Sequence, residues 1–341
     1  MKIIVDAMGG DNAPDEIIKG AMDAVSEIST EIILCGIGEE ILRVFERMGH
    51  SDIPRGIEIV NASEVITMED DPSTAIRTKK DSSMTVGLTL LRDGMGDAFV
   101  SAGSTGALLS GATLIVKRIR GIRRAALVPF LPNSGRGFYL IDCGANAECT
   151  PEYLLQFAFM GSYYAESSMG IEAPRVGLLN NGAEATKGTQ LQLDAYALID
   201  KASRDGYLNF IGNVEAKEAV MGACDVLVCD GFTGNVFLKS LEGMASLLMS
   251  ELKGIYGSSL LTKLSALMIK KRIMELRARM NPDTIGGTIM LGISKPVIKA
   301  HGSSKAAAIK GAIRQAAAAV EADPAPRLQA NIEHMKIDSA E

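Results

Sequence analysis

Short apolar runs recur along the chain, each closed by a small or polar turn and followed by a stretch of helical period. They fall at 3–5, 32–35, 57–60, 98–100, 138–142, 176–179, 209–212, 226–229 and 296–299. Apolar runs of this length fit strands buried on both faces. Helices alternating with them predict a largely parallel, doubly wound α/β/α sheet. In such sheets ligands bind outside the carboxyl ends of the strands, so the polar turns are expected to converge on one cleft. No fixed period links the runs, so they are not solenoid repeats.

One stretch, Asp225 to Lys239, states the pattern most sharply: an apolar run, then Asp230, a turn of Gly231 to Gly234, and an apolar helix opening at Asn235. Two readings stand. The turn aims free backbone N–H groups and a positive dipole end at an anion, or it is a turn with good capping residues. Two other turns only approximate nucleotide motifs. The turn at 36–41 has Ile41 where a dinucleotide fingerprint needs its third glycine, and 182–189 reads Lys-Gly-Thr where a phosphate loop needs Gly-Lys-Thr.

The pattern breaks after 240. Helical material runs from Asn235 toward Tyr256, is interrupted at 257–259, and resumes over 260–280 with Ile269, Ile273, Leu276 and Met280 on one stripe. Leu260, Leu261, Leu264 and Leu267 crowd the start of the second helix. Lys263, Lys270, Lys271, Arg272, Arg277 and Arg279 there face one acid, Glu275. This predicts a protruding helical hairpin over 241–281, whose stem packs on a second copy and whose tip touches an anionic bilayer, with 1–240 and 282–341 forming the α/β catalytic unit. The uncharged segment 98–116 is not a membrane span, because Gly103, Gly106 and Gly111 and several hydroxyls interrupt it.

Composition narrows the function. The 341 residues carry a net charge of −6 with no Trp, which argues against nucleic-acid binding. The five cysteines form no CxxC pair and there are three histidines, so a structural zinc site is not expected. No signal-peptide pattern is visible, and free thiols in the cytoplasm are the expectation.

The motifs VDAMGGDNAP (5–14), SSM (82–84), VSAGSTGA (100–107), DCGAN (142–146), RVGLLNNGAEATKG (175–188), NFIGNVEA (209–216), CDGFTGNVFLKSLEG (229–243) and KPVIKAHGSS (295–304) cover nearly the whole chain. In them the chain resembles the bacterial phosphate acyltransferases of phospholipid synthesis. Ser104 stands where that family usually has Asn, and Asn181 where small apolar residues are common. The resemblance implies a dimeric fold similar to phosphotransacetylases and isocitrate-type dehydrogenases. It implies transfer of an acyl group from acyl carrier protein to inorganic phosphate, with no cofactor and with a downstream membrane acyltransferase as a further partner. Two other readings compete: a short-chain phosphotransacetylase using acyl-CoA, and a non-catalytic acyl-carrier or membrane scaffold.

Attack of phosphate on a thioester needs the phosphate held and desolvated and the oxyanion stabilised. Carried onto this chain, the resemblance makes Lys187 the phosphate or oxyanion cation and Asn235 a side-chain donor. Asp230 would orient a cation or donor, and His301 would protonate the leaving thiolate or bind phosphate. Asp6, Gly9, Gly10, Ser104, Thr105, Asn146, Thr233, Gly234 and Ser303 would line the substrate. Cys143 and Cys229 read as buried strand thiols. An acidic carrier protein needs a basic patch, for which Arg77, Lys79 and Lys80, or the run Lys117, Arg118, Arg120, Arg123 and Arg124, are the candidates.

Overall fold

The computed structural model describes residues 1–280 and 286–336, without the side chains of Leu260, Leu261, Leu264, Ala266 and 275–280. Seven strands form the first sheet, in the order β3 (Ile57–Asn61), β2 (Glu31–Gly36), β1 (Lys2–Asp6), β4 (Ala98–Ser101), β12 (Val297–Lys299), β11 (Thr288–Leu291), β5 (Ala126–Val128). Five form the second, in the order β6 (Phe130–Leu131), β7 (Phe138–Ile141), β10 (Val226–Val228), β8 (Arg175–Asn180), β9 (Asn209–Glu215).

Side chains alternate along these strands because the strand period is two. Ile3, Val5, Val100, Ile141 and Val228 enter one apolar layer. Ile4, Phe99, Leu140 and Leu227 enter the other. Both layers run across both sheets, so the sheets act as one continuous septum with helices on each side. On the first face lie α1 (Asp15–Glu27), α2 (Gly38–Arg47), α6 (Pro151–Met169), α7 (Gln190–Arg204), α11 (Ala306–Ala322) and α12 (Ala325–Ala330). On the second lie α3 (Ala75–Thr78), α4 (Ser83–Arg92), α5 (Thr105–Gly111), α8 (Ala216–Val220) and α9 (Gly231–Gly257).

The join between the sheets was not expected. β5 and β6 are one extended run around Pro129. β5 is antiparallel to β11, which is itself antiparallel to β12, so β5 points the same way as β12. β6 is antiparallel to β7, and β7, β10, β8 and β9 are mutually parallel. Across this bridging run the two parallel sets therefore point in opposite directions. Their carboxyl ends open on two different edges, and the polar turns fall into two groups where one cleft was expected.

The hairpin forms as expected. Helix α9 runs unbroken to Gly257, and after Ser258 and Ser259 the chain turns into α10 (Leu260–Met280), which packs back along it. Helix α9 opens at Gly231, four residues ahead of the expected Asn235, because the Asp230 side chain caps it.

Candidate active site

On the edge of the second sheet, the helices after β7 and β8 go to the first face and the helix after β10 goes to the second. Chains leaving neighbouring strands for opposite faces open a crevice between them. The β10 turn thus has a crevice on each side, bounded by the β7 turn (142–146) and by the β8 loop (180–189).

The β10 turn is held by its own capping bonds. Asp230 is buried, and its carboxylate accepts from Thr233 N at 2.8 Å and Thr233 Oγ1 at 2.7 Å. Gly231 N donates to Asn146 O at 2.7 Å and Gly234 N to Asp230 O at 2.9 Å. The helix N-terminus carries its own carboxylate, so of the two readings the capping one holds. Gly231 and Gly234 are explained by approach: a Cβ on Gly231 would lie 2.6 Å from Asn146 O, and Gly234 lies against the Asp142 carbonyl. Gly234 therefore packs on the β7 turn.

That turn is held by Asp142, which is fully buried. Its oxygens accept from Leu127 N at 2.9 Å, Ala145 N at 3.2 Å, and Asn146 N and Nδ2 at 2.7 and 3.0 Å. Burial pushes its carboxyl up, and these N–H donors pull it back. Asn146 is thus spent on Asp142 and on Ala125 O, at 2.8 Å. Cys143 and Cys229 are buried, and burial pushes both thiols up, so neither is a poised nucleophile.

Two of the expected residues remain available at this edge, Asn235 and Lys187. Asn235 is exposed on the first turns of α9, its Cβ beside exposed Gly144, and among the described residues its amide has no hydrogen-bond partner. Lys187 is exposed on the β8 loop, and its amine has no partner among the described residues. The loop that carries it is rigid. Asn180 Nδ2 donates to Lys187 O at 3.0 Å, Asn213 Nδ2 to Glu184 O at 2.8 Å, and Gly188 takes φ +102 beside the Asn180 side chain. A cation and a free amide thus stand on the same edge, Lys187 on the β8 loop and Asn235 on the β7 side of the β10 turn.

The other expected residues sit on the edge of the first sheet. Asp6 is buried, accepting from Ser101 Oγ at 2.7 Å, and a Cβ on Gly9 would collide with its carboxylate. Gly10 takes φ +107 between Ala102 and Gly302. Asp11 N donates to Gly302 O at 2.8 Å and Asn12 Nδ2 to Ser303 O at 3.0 Å, which laces the β1 turn to the β12 turn. Ser104 is buried and caps α5, and Thr105 beside it is exposed. His301 is exposed, its Nδ1 2.8 Å from Ser303 Oγ. Among the described residues no hydrogen bond joins this group to the Lys187 edge. His301 and Lys187 lie on opposite edges of the septum, because the strand direction reverses across the bridging run.

Lys299 is the residue that sequence reasoning missed. It ends β12, is 9% exposed, and donates to Ala102 O at 3.3 Å and to Ala300 O. Burial lowers its pKa from 10.5 to about 8, against the pull of Asp6 and Asp11. The signal was a charged residue closing an apolar strand. Between pH 8 and 10.5 the unfolded chain holds a proton that the folded chain has released, so stability contributed here rises with pH across that window. Urea unfolding should show wild type gaining on Lys299→Met between those values. Parallel pH curves would remove the assignment. A cavity of about 330 Å³ lined by Arg136, Arg175 and Asp225 lies at the amino-terminal edge of the second sheet, away from both groups.

A family model described as "Fatty acid synthesis protein" matches residues 1–327. The phosphate acyltransferase of Thermoanaerobacter pseudethanolicus is 47% identical over 336 residues, covering 98% of each chain. That of Thermoanaerobacterium thermosaccharolyticum is 46% identical over 333 residues, covering 98% of this chain and 97% of the relative. The chain belongs to the phosphate acyltransferase family. It is an acyltransferase of fatty acid synthesis, and the scaffold reading falls. Among solved structures, a phosphotransacetylase from Streptococcus pyogenes matches with a TM-score of 0.63 at 18% identity, covering 94% of each chain. A 4-hydroxythreonine-4-phosphate dehydrogenase from Klebsiella pneumoniae matches at 0.55 and 12%, covering 94% of this chain and 98% of the other. These likenesses give phosphate acyltransferases the phosphotransacetylase-like fold expected from sequence.

Proposed function

We propose that this phosphate acyltransferase moves a fatty acyl group from the thioester of acyl carrier protein to inorganic phosphate. A phosphate oxygen attacks the thioester carbonyl, and the tetrahedral oxyanion collapses with loss of the carrier thiolate. Acyl phosphate and, after proton uptake, free carrier protein are the products. Lys187 holds the phosphate by charge, and the Asn235 amide donates to the developing oxyanion. The observation that supports this is the pair itself: an amine and an amide with no partner among the described residues, on one edge of the second sheet and on either side of the β10 turn. Comparing acyl carrier protein with acetyl-CoA as donor tests it. Turnover with acetyl-CoA alone would favour the short-chain phosphotransacetylase reading.

The hairpin carries the second half of the proposal, with the catalytic unit at 1–240 and 282–341 and the hairpin at 241–281. Met244, Leu247, Leu248 and Ile255 on α9 are exposed, which supports a homodimer through the stem. Leu267 and Met268 are 66% and 88% exposed on α10, near exposed Lys263, Lys270, Lys271 and Arg272. This supports peripheral contact with an anionic membrane from the cytoplasm, where the apolar product passes to a downstream membrane acyltransferase. The side chains of Leu260, Leu261 and Leu264 lie outside the described residues. Among the described residues no helix is long and apolar enough to cross a membrane. In flotation with anionic vesicles, Leu261→Glu with Leu267→Glu should release the protein while activity in solution persists. Unchanged flotation would remove the membrane role.

A further inference from the structure

The carrier protein must dock so that its thioester arm reaches the β7–β10–β8 edge, and carrier proteins of this class are acidic. Of the two basic clusters in the sequence, the structure separates one from the other. Lys79 is committed, its amine 2.6 Å from Asp70 and 2.9 Å from Val65 O, and its cluster follows β3 on the far side of the first sheet.

The run 117–124 is different. Its two isoleucines, Ile119 and Ile122, are buried, and Lys117, Arg118, Arg120, Arg123 and Arg124 are all exposed. The backbone is pinned at several points. Ile119 N donates to Gly292 O at 2.9 Å, and Arg118 forms an antiparallel bridge with Ile293. The buried amide of Gln156 accepts from Arg123 N at 2.8 Å and donates to Gly121 O at 3.2 Å. Arg123 reaches Glu152 at 3.3 Å, and Arg124 sits 5.5 Å over the Tyr153 ring. Among the described residues no carboxylate pairs with Lys117, Arg118 or Arg120. A rigid ridge with unneutralised cations stands out on a chain whose net charge is −6.

The ridge abuts the proposed site. It ends at Ala125, whose carbonyl accepts from Asn146 Nδ2 at 2.8 Å. Asn146 belongs to the turn whose Gly144 lies beside Asn235. One turn of chain, 142–146, separates the cations from Asn235. We propose that the 117–124 ridge is the docking surface for the acidic carrier protein, delivering its thioester arm over the β7 turn to Asn235 and Lys187. This rests on the donor named under Proposed function. Opposite potentials across such a surface steer encounter and fix register, and a ridge that is already rigid loses little freedom on docking.

The test uses the whole enzyme with Arg118→Glu and Arg120→Glu together, and Arg77→Glu with Lys80→Glu as a control pair. Steady-state rates are measured against acyl carrier protein at low and at physiological salt, together with titration of the unacylated carrier protein onto each enzyme. The ridge pair should raise the carrier KM and Kd by roughly tenfold or more at low salt, with kcat within about twofold and most of the difference lost at high salt. The control pair should match wild type. A carrier KM and Kd unchanged in the ridge pair, or a loss confined to kcat, would overturn the docking surface. Failure of wild type itself to consume acyl carrier protein would overturn the donor instead.

Discussion

Lys187→Ala will lower phosphate-dependent acyl transfer by about 10²–10³-fold while leaving the unfolding transition where it was. The amine is exposed and makes no bond within the described chain, so the fold loses nothing when it is removed. Its loop is closed by Asn180, Asn213 and Gly188, none of which depends on that side chain. The loss should appear in both kcat and the KM for phosphate, because the cation acts on the bound ion and on the developing charge. Asn235→Ala should cost less, about 10–10²-fold, since a neutral donor is weaker than a charged one. His301→Ala provides the contrast. It sits on the other edge of the septum, and its removal should change the rate by less than about fivefold. A His301 effect as large as that of Lys187 would mean that the two edges act together, and the two-edge description of the site would fall.

Asp142→Ala should be the most destabilising single change at this edge, by about 3–5 kcal/mol. It would leave buried Leu127 N and half-buried Ala145 N and Asn146 N without that acceptor, and Asn146 Nδ2 with Ala125 O alone. Leu127 belongs to the bridging run and Asn146 to the crevice turn, so one carboxylate ties the join between the sheets to the wall of the site. Urea unfolding at unchanged slope gives the number. Asp142→Asn should recover little, because its NH2 group would face N–H donors. A loss below about 1 kcal/mol for Asp142→Ala would show that water or rearrangement satisfies those donors.

Much of the septum was legible because its strands are buried on both faces, which leaves a plain apolar signature in residues such as Val226 to Val228. The bridging run was not. Val128-Pro129-Phe130 reads as broken, because proline removes a ladder donor and demotes a strand, yet here it falls between β5 and β6 where sheet changes to sheet. β11 was missed with it, being four residues beside a long helix. These two antiparallel elements turn one expected cleft into two edges. The DGFTG turn misled for a related reason. Its glycines look like a ligand cradle in sequence, and only the packing on Asp142 and Asn146 shows that they let two turns touch. Lys187 and Asn235 were reached through family motifs. The structure adds that both are free on the same edge, and it finds in Lys299 a buried cation on the other.

The central claim is that the β7–β10–β8 edge transfers an acyl group from carrier protein to inorganic phosphate. The most direct measurement incubates the purified protein with acyl carrier protein and isotopically labelled inorganic phosphate, and follows both label and thioester. The account predicts labelled acyl phosphate and free carrier thiol in equal amounts, dependent on phosphate, and nearly abolished in Lys187→Ala. Thioester loss without label transfer, or label transfer undiminished in Lys187→Ala, would contradict it.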